Sequence, residues 1–271
     1  MRMHAGFIDC GGGKLYYRTA GEGPNLVLLH AGLVDSRMWD SQFPVFARKY
    51  QVLCYDLRGC GHSSSPEAPF SPSEDLNFLL DHLDIKNASL VGLSQGGGIA
   101  IDFTLIHPER VNALVLSNPS LGGFQYKKDL FQSGEKFHRT GKTRSPRAAI
   151  EILLTDRFWS RALPLKSHPE ARRKFIRMVK DNPQVFLWDP DLIQSLEPPA
   201  LDRLGDIKVP TLLIASQDDL SENQDIIDLL EMKIPYSTRV TISECSHMVN
   251  LDQPERFNQC VLYFLERELK G

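Results

Sequence analysis

A chain of 271 residues, 42% hydrophobic and 24% charged, is long enough to bury a core without disulfide or metal staples and is too apolar to be disordered. Its net charge of −3 excludes the overall basic footprint of a nucleic-acid-binding chain, and no run approaches the roughly 20 apolar residues of a membrane-spanning helix. Five cysteines without a CxxC pair, and an N-terminus with neither an apolar stretch nor a small-residue cleavage site, fit reduced thiols in the cytoplasm.

In chain order, residues 7–8 and 15–17 flank Gly11-Gly12-Gly13 and read as a hairpin. The runs NLVLLH (25–30) and QVLCYD (51–56) are short, continuous and apolar, as strands buried on both faces should be. Residues 75–83 read as a helix, ASLVGL (88–93) as a strand, 96–107 as a helix stopped by Pro108, and VNALVL (111–116) as a strand. Farther on, PTLLIA (210–215) is a strand opened by proline, 222–232 a helix, 239–242 a strand and 255–269 a last helix. Strands that alternate with helices predict an α/β fold with a mostly parallel central β-sheet flanked by helices.

The alternation stops between residues 121 and 204. Residues 121–205 carry 16 Lys and Arg against 10 Asp and Glu, with helix-like stretches at 146–154, 169–180 and 191–196. The expected organisation is a core made of 1–120 and 205–271 with a helical lid, or cap, at 121–204. The basic excess reads as a solvated helical face.

Chemistry enters at Gly92-Leu93-Ser94-Gln95-Gly96, which follows the strand ASLVGL and opens a helix. A strand–turn–helix of this kind is so tight that small residues must flank the serine, and the strain exposes its hydroxyl at the carboxyl end of the sheet. A serine needs a base, and the base needs an acid to orient it. Of eight histidines, His247 sits in a loop after a late strand, where it can reach across to Ser94. Asp218 and Asp219 follow the strand at 210–215; the turn aims Asp219 at His247 and leaves Asp218 as a helix cap. The small residues after the strand at 25–30 can aim a backbone N–H at a developing oxyanion, with the N–H of Gln95 as second donor. His30, at the end of an apolar strand, reads as structural.

Taken in order, LLHAGLVDSRMW (28–39), YDLRGCGHSS (55–64), VGLSQGG (91–97), SQDD (216–219) and SHMVNLDQPERF (246–257) resemble the α/β-hydrolase fold superfamily in its small, single-chain form with a helical lid. The resemblance covers about residues 5–120 and 205–270. It implies a serine hydrolase with Ser94, Asp219 and His247 as triad and Gly32 in the oxyanion-donor position, with Leu33 as the alternative donor. His30-Ala31-Gly32 stands where the family commonly has His-Gly-X, and Gln95 where methionine is common. The loop from Asp56 to Ser63 is implied to be structural support, with Asp56 and Arg58 hydrogen-bonded. Ser94 rather than an aspartate argues against dehalogenase or epoxide hydrolase chemistry.

The implied reaction is cleavage of a carboxylic ester through an acyl-enzyme, on a small-molecule substrate, with no metal or organic cofactor and no nucleic-acid or membrane partner. The sequence sets no oligomeric state. Left open are a carbon–carbon hydrolase of ring-cleavage products, with Arg139, Arg144 or Arg157 holding a substrate carboxylate, a lactonase, and a ligand-sensing receptor. Phe124, Tyr126, Phe131, Phe158, Trp159, Phe186 and Trp188 supply the lid's aromatic surface. Leu33, Trp159 and Trp188 are the substrate-binding candidates among the apolar residues.

Overall fold

The computed structural model describes residues 3–156 and 159–269. Gly11 and Gly12, both at positive φ, turn β1 (Met3–Asp9) back antiparallel onto β2 (Lys14–Ala20). Six more strands follow: β3 (Asn25–Leu29), β4 (Gln51–Tyr55), β5 (Ala88–Leu93), β6 (Val111–Ser117), β7 (Thr211–Ser216) and β8 (Ser237–Ile242). They form one eight-stranded sheet in the order β1-β2-β4-β3-β5-β6-β7-β8. Every pairing from β4 to β8 is parallel.

The inner strands are continuously apolar because both faces are covered. In β3, Leu26 and Leu28 join one apolar layer, with Trp39, Phe46 and Phe257, while Val27 and Leu29 join the other, with Phe103 and Leu76. The covering helices are α1 (Pro72–His82), α2 (Gln95–Ile106), α6 (Ser221–Lys233) and α7 (Pro254–Glu268), with further helices between β6 and β7. Helix α1 starts three residues earlier than expected because Ser71 Oγ accepts from Glu74 N at 3.3 Å and caps it.

Between β6 and β7 the described residues form helices and no strand. Here lie α3 (Lys128–Thr143), α4 (Pro146–Thr155) and α5 (Pro169–Asp181). The last two fall where the sequence placed them, but α3 was not anticipated. The helix expected at 191–196 is corrected: only Pro190–Leu192 makes a helical turn, of the tighter 3-10 kind. Ile193 is extended there, because Phe70 N donates to Leu192 O and Gln194 N to Phe70 O, which uses those backbone groups in a bridge. Phe137, Leu153, Phe175 and Phe186 of this insertion join the layer that holds Met248 and Val249. Among the described residues no helix is long and apolar enough to cross a membrane.

Candidate active site

Ser94 stands between β5 and α2 at φ 54° and ψ −117°, a left-handed conformation that costs a non-glycine residue energy. Its surroundings leave no room for Cβ atoms at the flanking glycines. A Cβ on Gly92 would lie 2.4 Å from Gly96 O, and one on Gly96 would lie 2.2 Å from Leu29 O. The strain is held by backbone bonds: Ser94 N donates to Ser117 O, and Ser94 O accepts from Gly98 N and Ser120 N. The Ser94 hydroxyl does not cap the helix that it opens.

His247 follows β8 and is 7% exposed. Its Nδ1 lies 2.7 Å from Asp219 Oδ2. An ionised carboxylate can only accept, so Nδ1 carries the proton and Nε2 of the neutral ring is the free base. The other Asp219 oxygen, Oδ1, accepts from Leu220 N and Asn223 Nδ2, both at 2.7 Å. Asn223 Nδ2 also lies 3.1 Å from His247 Nδ1. Behind the pair, Asn118 holds three segments together: its Nδ2 donates to His247 O at 2.9 Å, and its Oδ1 accepts from Ser216 N at 3.0 Å. Ser216 Oγ in turn donates to Ser246 O at 2.6 Å. Sequence reading did not single out Asn118, Asn223 or the serines, whose partners lie far along the chain.

The loop after β3 is built as rigidly. His30 is fully buried; its Nδ1 donates to Ala31 O and its Nε2 accepts from Leu57 N, so it is structural as expected. Burial lowers its pKa and keeps it neutral. The left-handed residue in this loop is Leu33, at φ 68°. Gln95 Oε1 stands 2.8 Å from where a Cβ on Gly32 would sit, so the two expected oxyanion residues meet. Asp56 accepts from Ser36 N and His62 N, and Arg58 forms a buried ion pair with Asp75 at 2.6 Å. Both support the loops rather than react.

Leu33 is half-buried against both apolar layers. Trp188 packs on Gly59 and shares with Gln95, Tyr55 and Arg58 a cavity of about 10 Å3, room for one water. Trp159 does not line that cavity; its ring meets Phe137 edge-on at 5.2 Å. Phe186 packs on Phe137, and Phe124 on Tyr126. Phe158 and Arg157 lie outside the described residues, as does the side chain of Phe131. Arg139 and Arg144 are exposed. Asp218 is also exposed and caps nothing, because α6 starts behind Leu220 without a side-chain cap. Burial pushes the Cys54 thiol up to about 12 and Cys245 up to about 11, so both stay protonated and unreactive.

The family model described as "alpha/beta hydrolase fold" matches residues 24–254. The chain is 26% identical over 282 residues to the 2-hydroxy-6-oxo-6-(2'-aminophenyl)hexa-2,4-dienoic acid hydrolase of Metapseudomonas resinovorans, covering 96% of this chain and 90% of that protein. It is also 26% identical to the carboxylesterase YbfK of Bacillus subtilis over 280 residues, 98% of this chain and 88% of that one. The solved enol-lactonase from Burkholderia xenovorans LB400 matches in fold with a TM-score of 0.82, at 24% identity, over 96% of this chain and 100% of that one.

Proposed function

Because this chain belongs to the alpha/beta hydrolase fold family, we propose that it is a serine hydrolase that cleaves a carboxylic ester through an acyl-enzyme on Ser94. The observation that carries this reading is the 2.7 Å bond from His247 Nδ1 to Asp219, which leaves Nε2 as a base. His247 Nε2 takes the proton of Ser94 Oγ as that oxygen attacks the ester carbonyl carbon. The backbone N–H groups of Gly32 and Gln95 hold the oxyanion, and Asp219 stabilises the imidazolium. The intermediate collapses, the imidazolium gives its proton to the departing alkoxide, and an alcohol leaves. Water then attacks the acyl-enzyme, His247 again accepts and returns the proton, and the acid is released.

In this reading residues 121–204 form a lid over a core made of 1–120 and 205–271, and Leu33, Trp159 and Trp188 face a small-molecule substrate. Five cysteines without a disulfide are compatible with a cytoplasmic enzyme. A carbon–carbon hydrolase of the kind named for the Metapseudomonas relative would need a cation for the substrate's carboxylate. Of the arginines considered for that role, Arg139 and Arg144 are exposed.

The test is hydrolysis of p-nitrophenyl esters from acetyl to decanoyl by wild type and Ser94→Ala. The wild type should turn over, and the variant should lose about 10⁴-fold or more in kcat. Ester turnover that survives in Ser94→Ala rejects the assignment.

A further inference from the structure

Asp252 closes a short helical turn (Val249–Asp252) just after His247, and its side chain is fully buried. A buried carboxylate is stable only where donors replace the water that it lost. Asp252 has four donors, and they come from two places. Its Oδ1 accepts from Leu165 N at 3.0 Å and His168 Nδ1 at 3.2 Å. Its Oδ2 accepts from Ser246 N at 2.8 Å and Ser246 Oγ at 2.7 Å. None of the four belongs to the turn that Asp252 closes, so the carboxylate is not there to cap its own helix. Leu165 and His168 lie in the insertion between β6 and β7, just before α5, and Ser246 is the residue next to His247.

We propose that Asp252 is a positioning residue that couples the helical insertion to the catalytic base; this rests on the assignment of His247 as that base. One charge is shared by both sides. If the segment at 165–168 lifts away, Oδ1 loses both of its protein donors, and the free energy that seats the His247 loop falls. Docking of the insertion and placement of the imidazole therefore favour each other. Geometry of this kind matters to rate, because a displacement of about 1 Å at a catalytic group can cost about 10²-fold.

The experiment measures kcat and KM on a p-nitrophenyl ester for Asp252→Asn, His168→Ala, Ser246→Ala and the His168→Ala/Ser246→Ala double variant. Each rate is divided by the active sites titrated with a fluorophosphonate, so that lost folding does not pass for lost rate. Asn keeps the size of Asp252 but turns an NH2 group toward donors. It should lower kcat by about 10- to 100-fold, with KM changed far less. His168→Ala and Ser246→Ala should each lower kcat several-fold, and together by less than the product, as sites coupled through one group do. If Asp252→Asn does not fold, the His168 and Ser246 cycle decides. Undiminished kcat in the Asp252 or His168 variant, or fully multiplicative losses in the double variant, overturns the coupling. Ser94→Ala runs alongside: turnover surviving there overturns the site assignment and this proposal with it. Turnover lost there but undiminished in the Asp252 and His168 variants overturns the coupling alone.

Discussion

Asn223 borders both members of the acid–base pair, 2.7 Å from Asp219 Oδ1 and 3.1 Å from His247 Nδ1. It supplies a neutral donor where a charge would change the chemistry. Asn223→Asp puts a second carboxylate beside the imidazole, and a nearby negative charge favours the imidazolium. To the extent that the added carboxylate ionises beside Asp219, the acid limb of kcat/KM should move to higher pH. Asn223→Ala removes one of the donors to the Asp219 carboxylate and should lower kcat by about tenfold, the scale of one hydrogen bond to a charged group. A pH profile of Asn223→Asp that overlays the wild type would show that this contact does not reach the base. The proposed triad of Ser94, Asp219 and His247 is legible in the sequence because each sits in a short local pattern at the end of a strand. Asn223, Asn118 and Asp252 were not, because they work through side-chain bonds whose distant ends, such as Leu165 for Asp252, have no local signature.

Among the elements, α3 shows how packing overrides local preference. Its sixteen residues include Gly134 and Gly141, which read as helix breakers. The two glycines have opposite reasons to be there. A Cβ on Gly141 would fall 2.5 Å from Phe186 Cβ and 2.9 Å from Phe186 O, so glycine is what lets α3 close on Phe186. A Cβ on Gly134 would meet only Trp159 Cζ2, at an ordinary 3.5 Å. Gly134→Ala should therefore raise stability by about 0.5–1 kcal/mol through helix propensity. Gly141→Ala gains the same propensity but incurs an overpacking cost of about 1–3 kcal/mol, and should lower stability. Thermal unfolding of the two variants should shift Tm in opposite directions; a rise in both would mean that Phe186 yields. The same contrast explains which elements the sequence revealed. Strands such as β5 and β7 are buried at every residue, so composition alone marks them. The insertion is held by contacts between segments, and so its sequence does not reveal α3 and suggests a helix at 191–196 although Phe70 holds Ile193 extended.

Over the whole molecule, two apolar layers sandwich the sheet, and ionisable groups beside them, such as His30 and the partly buried Asp102, tie stability to pH. Burial lowers the His30 pKa, so below its ordinary 6.5 the unfolded chain takes up a proton that the folded chain refuses. That contribution is complete above pH 6.5 and is lost as the pH falls. Asp102, on α2, works in the opposite direction. Burial pushes its carboxyl from 3.8 up to about 6, so across that window the folded chain holds a proton that the unfolded chain has released. Stability then drops as pH rises toward 6, and above it the full cost of a partly buried, ionised Asp102 remains. Asp102→Asn removes this cost without changing the size of the side chain. It should raise Tm at about pH 8 by roughly 2–4 °C for each kcal/mol relieved, and leave it nearly unchanged at about pH 4, where Asp102 is protonated in the folded state. Melting curves of the two proteins across this range should diverge as pH rises. Curves that stay parallel would mean that Asp102 ionises in the folded chain as readily as in the unfolded one.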